Sequence, residues 1–153
     1  MTNQRLIVIV EDSDEDFEAF SWAMRHLNRA NPVRRFCDGD EILDYLESVT
    51  NQAFDQEKNF PALMLIDLNL PGTDGRDVIR EIKQSSSLNH IPTIALTTSS
   101  NPRDIKSCYA YGVNSYVLKP MGPHKLANVV QAIMSYWLDL NVTQVSLSPN
   151  ASF

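Results

Sequence analysis

Five side chains with the means to do chemistry stand directly after short apolar runs. Glu11 and Asp12 follow Leu6-Ile7-Val8-Ile9-Val10, and Asp67 follows Ala62-Leu63-Met64-Leu65-Ile66. Thr97 follows Thr93-Ile94-Ala95-Leu96, and Lys119 follows Tyr116-Val117-Leu118. Three carboxylates brought together repel one another unless a cation sits between them. Oxygen ligands without His or Cys suit a hard ion such as Mg²⁺. Such an ion keeps several waters and also takes a phosphate oxygen. Asp67 is then left free to act as a nucleophile toward a phosphoryl group whose charge the metal neutralises. Lys119 can offset charge on the same group, and Thr97 can donate a hydrogen bond to it.

That chemistry requires the five residues to share one rim, and the pattern of elements supplies it. Continuous apolar runs of four or five residues predict strands buried on both faces, as in a parallel sheet covered by helices. Val33-Arg34-Arg35-Phe36 predicts a weaker strand at an edge. Between the runs, apolar residues recur at helical spacing: Phe17, Phe20, Met24 and Leu27; Ile42, Leu43 and Leu46; Val78, Ile79 and Ile82; Leu126, Val129, Val130, Ile133 and Trp137. Alternation of strand and helix through the chain predicts a doubly wound α/β domain. In an open α/β sheet ligands bind beyond the carboxyl ends of the strands, which is where all five residues fall.

Each residue taken singly has a plainer explanation. A lone aspartate at a strand end is more often a cap, Glu11 and Asp12 suit the start of a helix, Lys-Pro is usually a turn, and threonine is a common strand residue. The joint arrangement, with all five members at the same end of four separate strands, is what favours chemistry.

Whole-chain properties narrow the function classes. The 153 residues suit one domain with one core, without need of a disulfide or metal staple. A net charge of −6 and the lack of a basic stripe disfavour nucleic acid and anionic lipid as partners. Cys37 and Cys108 are widely separated and read as reduced thiols. His26, His90 and His124 fit no metal spacing and read as surface or packing residues. No run approaches the roughly 20 apolar residues of a membrane span, so the expected location is the cytoplasm. Residues 51–59 read as a polar linker, and residues 141–153, rich in Ser and Asn, as a poorly ordered tail.

Four segments together resemble the receiver domain of bacterial response regulators. They are Ile9-Val10-Glu11-Asp12-Ser13, Leu65-Ile66-Asp67-Leu68-Asn69-Leu70-Pro71-Gly72-Thr73-Asp74-Gly75, Ala95-Leu96-Thr97-Thr98 and Tyr116-Val117-Leu118-Lys119-Pro120. The likeness runs from about Leu6 to about Leu138. It implies a receiver domain over residues 1–140, with a flavodoxin-like (βα)5 three-layer sandwich and a five-stranded parallel sheet of order 2-1-3-4-5. It also implies that Asp67 is phosphorylated and that Glu11 and Asp12, with the main-chain carbonyl of Asn69, help hold Mg²⁺ (or Mn²⁺ in its place). Thr97 and Lys119 would grip the phosphoryl group, Tyr116 would be the aromatic switch partner of Thr97, and the Lys119–Pro120 bond would be cis. Glu11 stands where many members have Asp.

A narrower likeness is carried by Arg35-Phe36-Cys37-Asp38-Gly39-Asp40-Glu41, Leu96-Thr97-Thr98-Ser99-Ser100 and the linker before Phe60. These are similar to the single-domain response regulators paired with cyanobacterial phytochrome kinases, which implies a red/far-red light-sensing histidine kinase as phosphodonor. On the fourth helix Ile105, Cys108, Tyr109 and Tyr111 form a broad apolar arc. Most of it suits the core, and its width suggests that some of it faces a partner; the resemblance implies a homodimer interface on this face, with Ile105 and Tyr109 in it.

Competing functions remain at this level. A Mg²⁺-dependent aspartyl phosphohydrolase would need an acid two residues after its nucleophile, where this chain has Asn69. A nucleotide or flavin binder would need a glycine-rich first turn, where this chain has Glu11-Asp12-Ser13-Asp14-Glu15-Asp16. A receiver that binds without being phosphorylated is the remaining alternative.

Overall fold

The computed structural model describes residues 5–51 and 60–143. Strands and helices alternate: β1 (Ile7–Val10), α1 (Asp14–His26), β2 (Val33–Phe36), α2 (Gly39–Asn51), β3 (Leu63–Ile66), α3 (Gly75–Gln84), β4 (Thr93–Thr97), α4 (Pro102–Tyr111), β5 (Ser115–Leu118) and α5 (Pro123–Met134). A π-wound segment, Ser135–Leu140, continues α5. All strand pairs are parallel, in the order β2-β1-β3-β4-β5. This is the expected doubly wound, flavodoxin-like arrangement.

The two-residue period of a strand divides each apolar run between two cores. Val8, Val10, Met64, Ile66 and Ala95 point to one face, where Ile42 and Leu46 of α2, Val78, Ile79 and Ile82 of α3 and Cys108 of α4 cover them. Ile7, Ile9, Leu63, Leu65, Ile94 and Leu96 point to the other, against Phe20 and Met24 of α1 and Leu126, Val130 and Ile133 of α5. Each Val, Leu, Ile, Met or Phe among them contributes about 1.5–3 kcal/mol on burial. Right-handed crossovers account for the faces taken by α1 to α4, and α5, after the last strand, returns to the α1 side. The chain steps outward from β1 to β2, then returns past β1 to β3 and onward, so the covering face changes once. In sheets of this kind the change marks the ligand-binding end, here beyond the carboxyl ends of β1 and β3.

Local signals fix the helix ends. Ser13 caps α1 through its side-chain oxygen, which accepts from the Asp16 N–H at 3.2 Å. Asp74 caps α3 and Asn101 caps α4 in the same way. Gly112 closes α4 in a left-handed conformation, φ 102°, that a side chain would disfavour.

Four expectations need adjusting. Tyr116-Val117-Leu118 is not buried on both faces: β5 is the second edge strand, and Leu118 is 48% exposed. The polar segment assigned to a linker begins later, because Asn51 is still in α2; residues 52–59 lie outside the described residues. At the other end Thr143 is buried, and the remainder of the expected tail also lies outside them. Finally, the Lys119–Pro120 bond is trans, as are all peptide bonds among the described residues. X-Pro isomers differ by only about 0.5–1 kcal/mol, so the sequence alone does not impose the cis form. The trans chain already extends the β5 ladder by one residue, with the Lys119 N–H bonded to the Thr97 carbonyl at 2.8 Å. The sharp bend comes later, at Gly122, φ 95°.

Candidate functional site

Strand register brings the acidic residues together. Val10 is paired with Ile66, so Glu11 and Asp67 are neighbours one step beyond. The ladder itself runs on through them: the Asp67 N–H donates to the Val10 carbonyl at 3.0 Å, and the Glu11 N–H to the Phe36 carbonyl at 2.9 Å. On the other side Thr97 pairs with Leu118, which places Lys119 just past the end of β5. Glu11 and Asp67 are buried, whereas Asp12 is exposed at the mouth.

The loop after Asp67 is held from behind by Gly75. Its N–H donates to the Leu68 carbonyl at 3.0 Å. A Cβ at this position would lie 2.1 Å from the Asp67 carbonyl oxygen. Only glycine lets the start of α3 approach the backbone of Asp67 this closely. The loop after β1 is held from the side by Arg35 of β2. Its Nε donates to the Glu11 carbonyl at 3.0 Å, its Nη1 lies 2.8 Å from Asp14 Oδ1, and its guanidinium covers the Phe17 ring.

Lys119 closes the site electrostatically. Its Nζ donates to Asp67 Oδ2 at 2.8 Å, to Asp16 Oδ2 at 2.8 Å and to Glu11 Oε1. The Lys119 side chain is 5% exposed. Burial alone would pull the ammonium pKa down, but the bonds to Asp16, Asp67 and Glu11 outweigh it and hold the group charged. Glu11 is affected in the opposite sense. Its burial and the nearby Asp67 charge outweigh the attraction of Lys119 and push its carboxyl up to about 7.

One oxygen each from Glu11, Asp12 and Asp67 lies within 4.8 Å of the other two. An all-oxygen set of this kind, with one member disfavouring ionisation because it is buried and lies beside Asp67, fits a divalent cation. The Asn69 N–H donates to Asp67 Oδ1 at 3.3 Å, so the residue expected to offer its carbonyl follows the acid closely.

Thr97 and Tyr116 both contact the turn after β4. Thr97 is fully buried, and its Oγ1 accepts from the Ser99 N–H at 3.3 Å. Tyr116 donates its hydroxyl to the Ser99 carbonyl at 2.8 Å. Ser99 in turn donates through Oγ to Asp104 Oδ2 at 2.6 Å, and Asp104 pairs with Arg76. On α4 the apolar arc is mostly inside: Cys108 is fully buried, Ile105 and Tyr111 are half-buried, and Tyr109 is 51% exposed. The three histidines pack against aromatic rings, His26 and His124 on Trp22 and His90 on Phe60.

Two features of the site escaped the sequence reading. In sequence Asp16 is one acid of an acidic first helical turn, and nothing there singles it out from Asp14 and Glu15. The Ser99–Asp104–Arg76 chain carries no sequence signal beyond residue types, since Arg76 and Asp104 meet across two helices.

A parallel doubly wound sheet with a carboxylate trio and a lysine at its switch point defines a receiver-type signalling module. The response regulator receiver domain profile matches residues 7–131, and the chain belongs to that family. It is 35% identical over 135 residues to the response regulator Rcp1 of Synechocystis, covering 88% of this chain and 90% of that one. It is 34% identical over 136 residues to the probable methanogenesis regulatory protein FilR2 of Methanothrix harundinacea, covering 89% and 85%. The crystal structure of the phosphorylated cyanobacterial phytochrome response regulator RcpA superposes with a TM-score of 0.83 at 33% identity, over 92% of this chain and 99% of that one. The Mn²⁺-bound form of Rcp1 superposes with a TM-score of 0.81 at 34% identity, over 91% and 98%. A receiver domain implies a histidine kinase as partner, and this family is one of signalling switches, not turnover enzymes. No helix among the described residues is long and apolar enough to cross a membrane.

Proposed function

We propose that this chain is a response regulator that accepts a phosphoryl group on Asp67 from a phosphohistidine of a kinase, with Mg²⁺ held by Glu11, Asp12, Asp67 and the Asn69 carbonyl. The observation that carries this reading is the convergence on Lys119. One charged ammonium touches Asp67 and Glu11 beside three carboxylates spaced for one cation.

An Asp67 carboxylate oxygen attacks phosphorus. The new P–O bond forms as the P–N bond to the donor imidazole breaks, and that electron pair returns to the imidazole, which takes up a proton from water. Bound Mg²⁺ would neutralise charge on the transferring group. Lys119 offsets charge on the product, which brings up to about two negative charges. Thr97 would turn its hydroxyl from the Ser99 N–H to the phosphoryl oxygens, and Tyr116 would move with the Ser99 turn it already holds. The half-exposed Tyr109 and Leu118 lie on the elements this movement would remodel, and we read that face, with Ile105, as the homodimer interface. Sedimentation with and without beryllofluoride tests this, and a monomer in both conditions ends the dimer reading.

Likeness to Rcp1 and RcpA supports a phytochrome-type kinase as donor, and this chain is read as cytoplasmic. FilR2, at a similar identity, belongs by its name to a different pathway, so the donor must be found by phosphotransfer from candidate kinases. The receiver domain is read as residues 1–140. Acetyl phosphate and Mg²⁺ followed by intact mass test the central reading. One phosphoryl adduct is expected on the wild type and none on Asp67→Asn. No adduct on the wild type, or an undiminished adduct on Asp67→Asn, overturns it. A phosphohydrolase is disfavoured because Asn69 cannot transfer a proton; steady turnover of a phosphomonoester would restore that reading.

A further inference from the structure

Lys119 has three N–H groups, and three carboxylates take them: Glu11, Asp67 and Asp16. Two of these acceptors belong to the trio spaced for a cation, and Asp16 does not. A divalent ion among Glu11, Asp12 and Asp67 would withdraw charge from the first and last of these and would repel the ammonium directly. The bond from Lys119 to Asp16 is the one that this redistribution leaves intact.

A general preference of helix starts for acids does not account for the placement of Asp16. That preference needs only negative charge in the first turn, and Asp14 and Glu15 provide it. Asp14 is already paired with Arg35, and Glu15 is exposed. Asp16 makes a directed 2.8 Å contact to a residue 103 positions away. Its backbone is fixed by the Ser13 cap, and its side chain is 32% exposed, a partial burial that strengthens the contact.

We infer that Asp16 is a positioning residue for Lys119. It retains the ammonium beside Asp67 when the metal claims the other two acceptors, so that Lys119 is in place as the phosphoryl group arrives. The inference deepens the proposed phosphoryl transfer and rests on it. Asp16 lies outside the trio spaced for a cation, and it acts only through Lys119.

The test compares wild type, Asp16→Asn, Asp16→Glu and Asp67→Asn. Three quantities are read: the rate of labelling by acetyl phosphate with saturating Mg²⁺, the Mg²⁺ affinity by calorimetry, and the ¹⁵Nζ resonance of Lys119 in metal-free and Mg²⁺-loaded protein, assigned with Lys119→Arg. Asp16→Asn is expected to lower the labelling rate about tenfold, the scale of one charge-assisted hydrogen bond, with Mg²⁺ affinity changed less than about twofold. Its Lys119 ammonium is expected to exchange faster with water in the Mg²⁺-loaded state, and Asp16→Glu is expected to recover most of the rate. A purely structural role would not be rescued in this way. An unchanged rate with an unchanged Lys119 resonance overturns the inference. So does a loss of rate that merely follows a loss of Mg²⁺ affinity. If the wild type takes no label, or Asp67→Asn takes it equally, the proposed phosphoryl transfer fails, and the Lys119 resonance still decides whether Asp16 holds the ammonium in the metal-loaded protein.

Discussion

Arg76 of α3 grips Asp104 of α4 through two parallel bonds, Nε to Oδ1 and Nη2 to Oδ2, each 2.7 Å. Ser99 donates to the same carboxylate, so the pair ties two helices to the turn that carries Thr98 and Ser99. Bidentate geometry of this kind is the strong form of an ion pair. The bonds from Arg76 and Ser99 pull the Asp104 carboxyl down to about 2, from an ordinary value of 3.8. A carboxyl depressed on folding adds stability above its unfolded value and loses it as pH falls through the folded one. Arg76→Ala is therefore expected to destabilise the protein by about 1.5–3 kcal/mol near neutrality. The deficit should shrink as pH falls from 4 toward 2. Urea unfolding of both proteins at pH 6 and pH 2.5 checks this, and a deficit independent of pH would be the wrong outcome.

Glu11 has the opposite sign. Burial and the Asp67 charge raise its carboxyl to about 7 from 4.5. An acid raised on folding contributes stability below its unfolded value and loses it as pH rises through the folded one. In metal-free protein, stability is expected to fall between pH 6 and pH 8. With saturating Mg²⁺ the fall should vanish, because the cation takes the place of the proton, and Mg²⁺ affinity should rise over the same interval. Thermal melts with EDTA or with Mg²⁺, alongside calorimetry at both pH values, measure these effects. A metal-free melt that is flat across the interval would count against this account of Glu11.

The strands were legible because central parallel strands must be apolar on both faces. Leu6 to Val10 and Ala62 to Ile66 announce β1 and β3 within a residue of their observed ends. The rim residues were legible for a related reason: a carboxylate or ammonium after such a run can only stand at its mouth. β5 was misjudged because Tyr116-Val117-Leu118 is as apolar as a central strand, and only sheet order reveals it as an edge. The contacts of Asp16 with Lys119 and of Arg76 with Asp104 were illegible because they are directed bonds between distant parts of the chain. Periodicity encodes which face a residue occupies, not which partner its side chain finds there.

Lys119→Met replaces the buried ammonium with an apolar chain of similar length. Glu11 and Asp67 would be left buried with their mutual repulsion and no counter-charge. Removing one partner of a buried ionic cluster typically costs about 3–5 kcal/mol. The loss is expected in metal-free protein at pH 8, and Mg²⁺ should recover a larger share of it than it adds to the wild type. Urea midpoints with and without Mg²⁺ test this, and equal Mg²⁺ stabilisation of the two proteins would argue that Lys119 and the cation do not share a charge-balancing role.

Gly75→Ala tests how tightly the position of Asp67 depends on the packing behind it. The new methyl would meet the Asp67 carbonyl oxygen at 2.1 Å and the Leu68 Cα at 2.6 Å, both backbone atoms with little freedom to yield. Leu68 is itself fully buried, so the strain cannot be relieved by moving the loop outward without opening the core. Overpacking of this kind costs about 1–3 kcal/mol, and more where backbone must shift. The shift would fall on Asp67, so the rate of labelling by acetyl phosphate should drop along with the melting temperature. A surface change matched for stability loss, chosen on α2 away from the site, should lower the melt and leave the labelling rate near wild type. If the two variants label equally fast, the close approach of α3 serves stability and has no part in placing the acid.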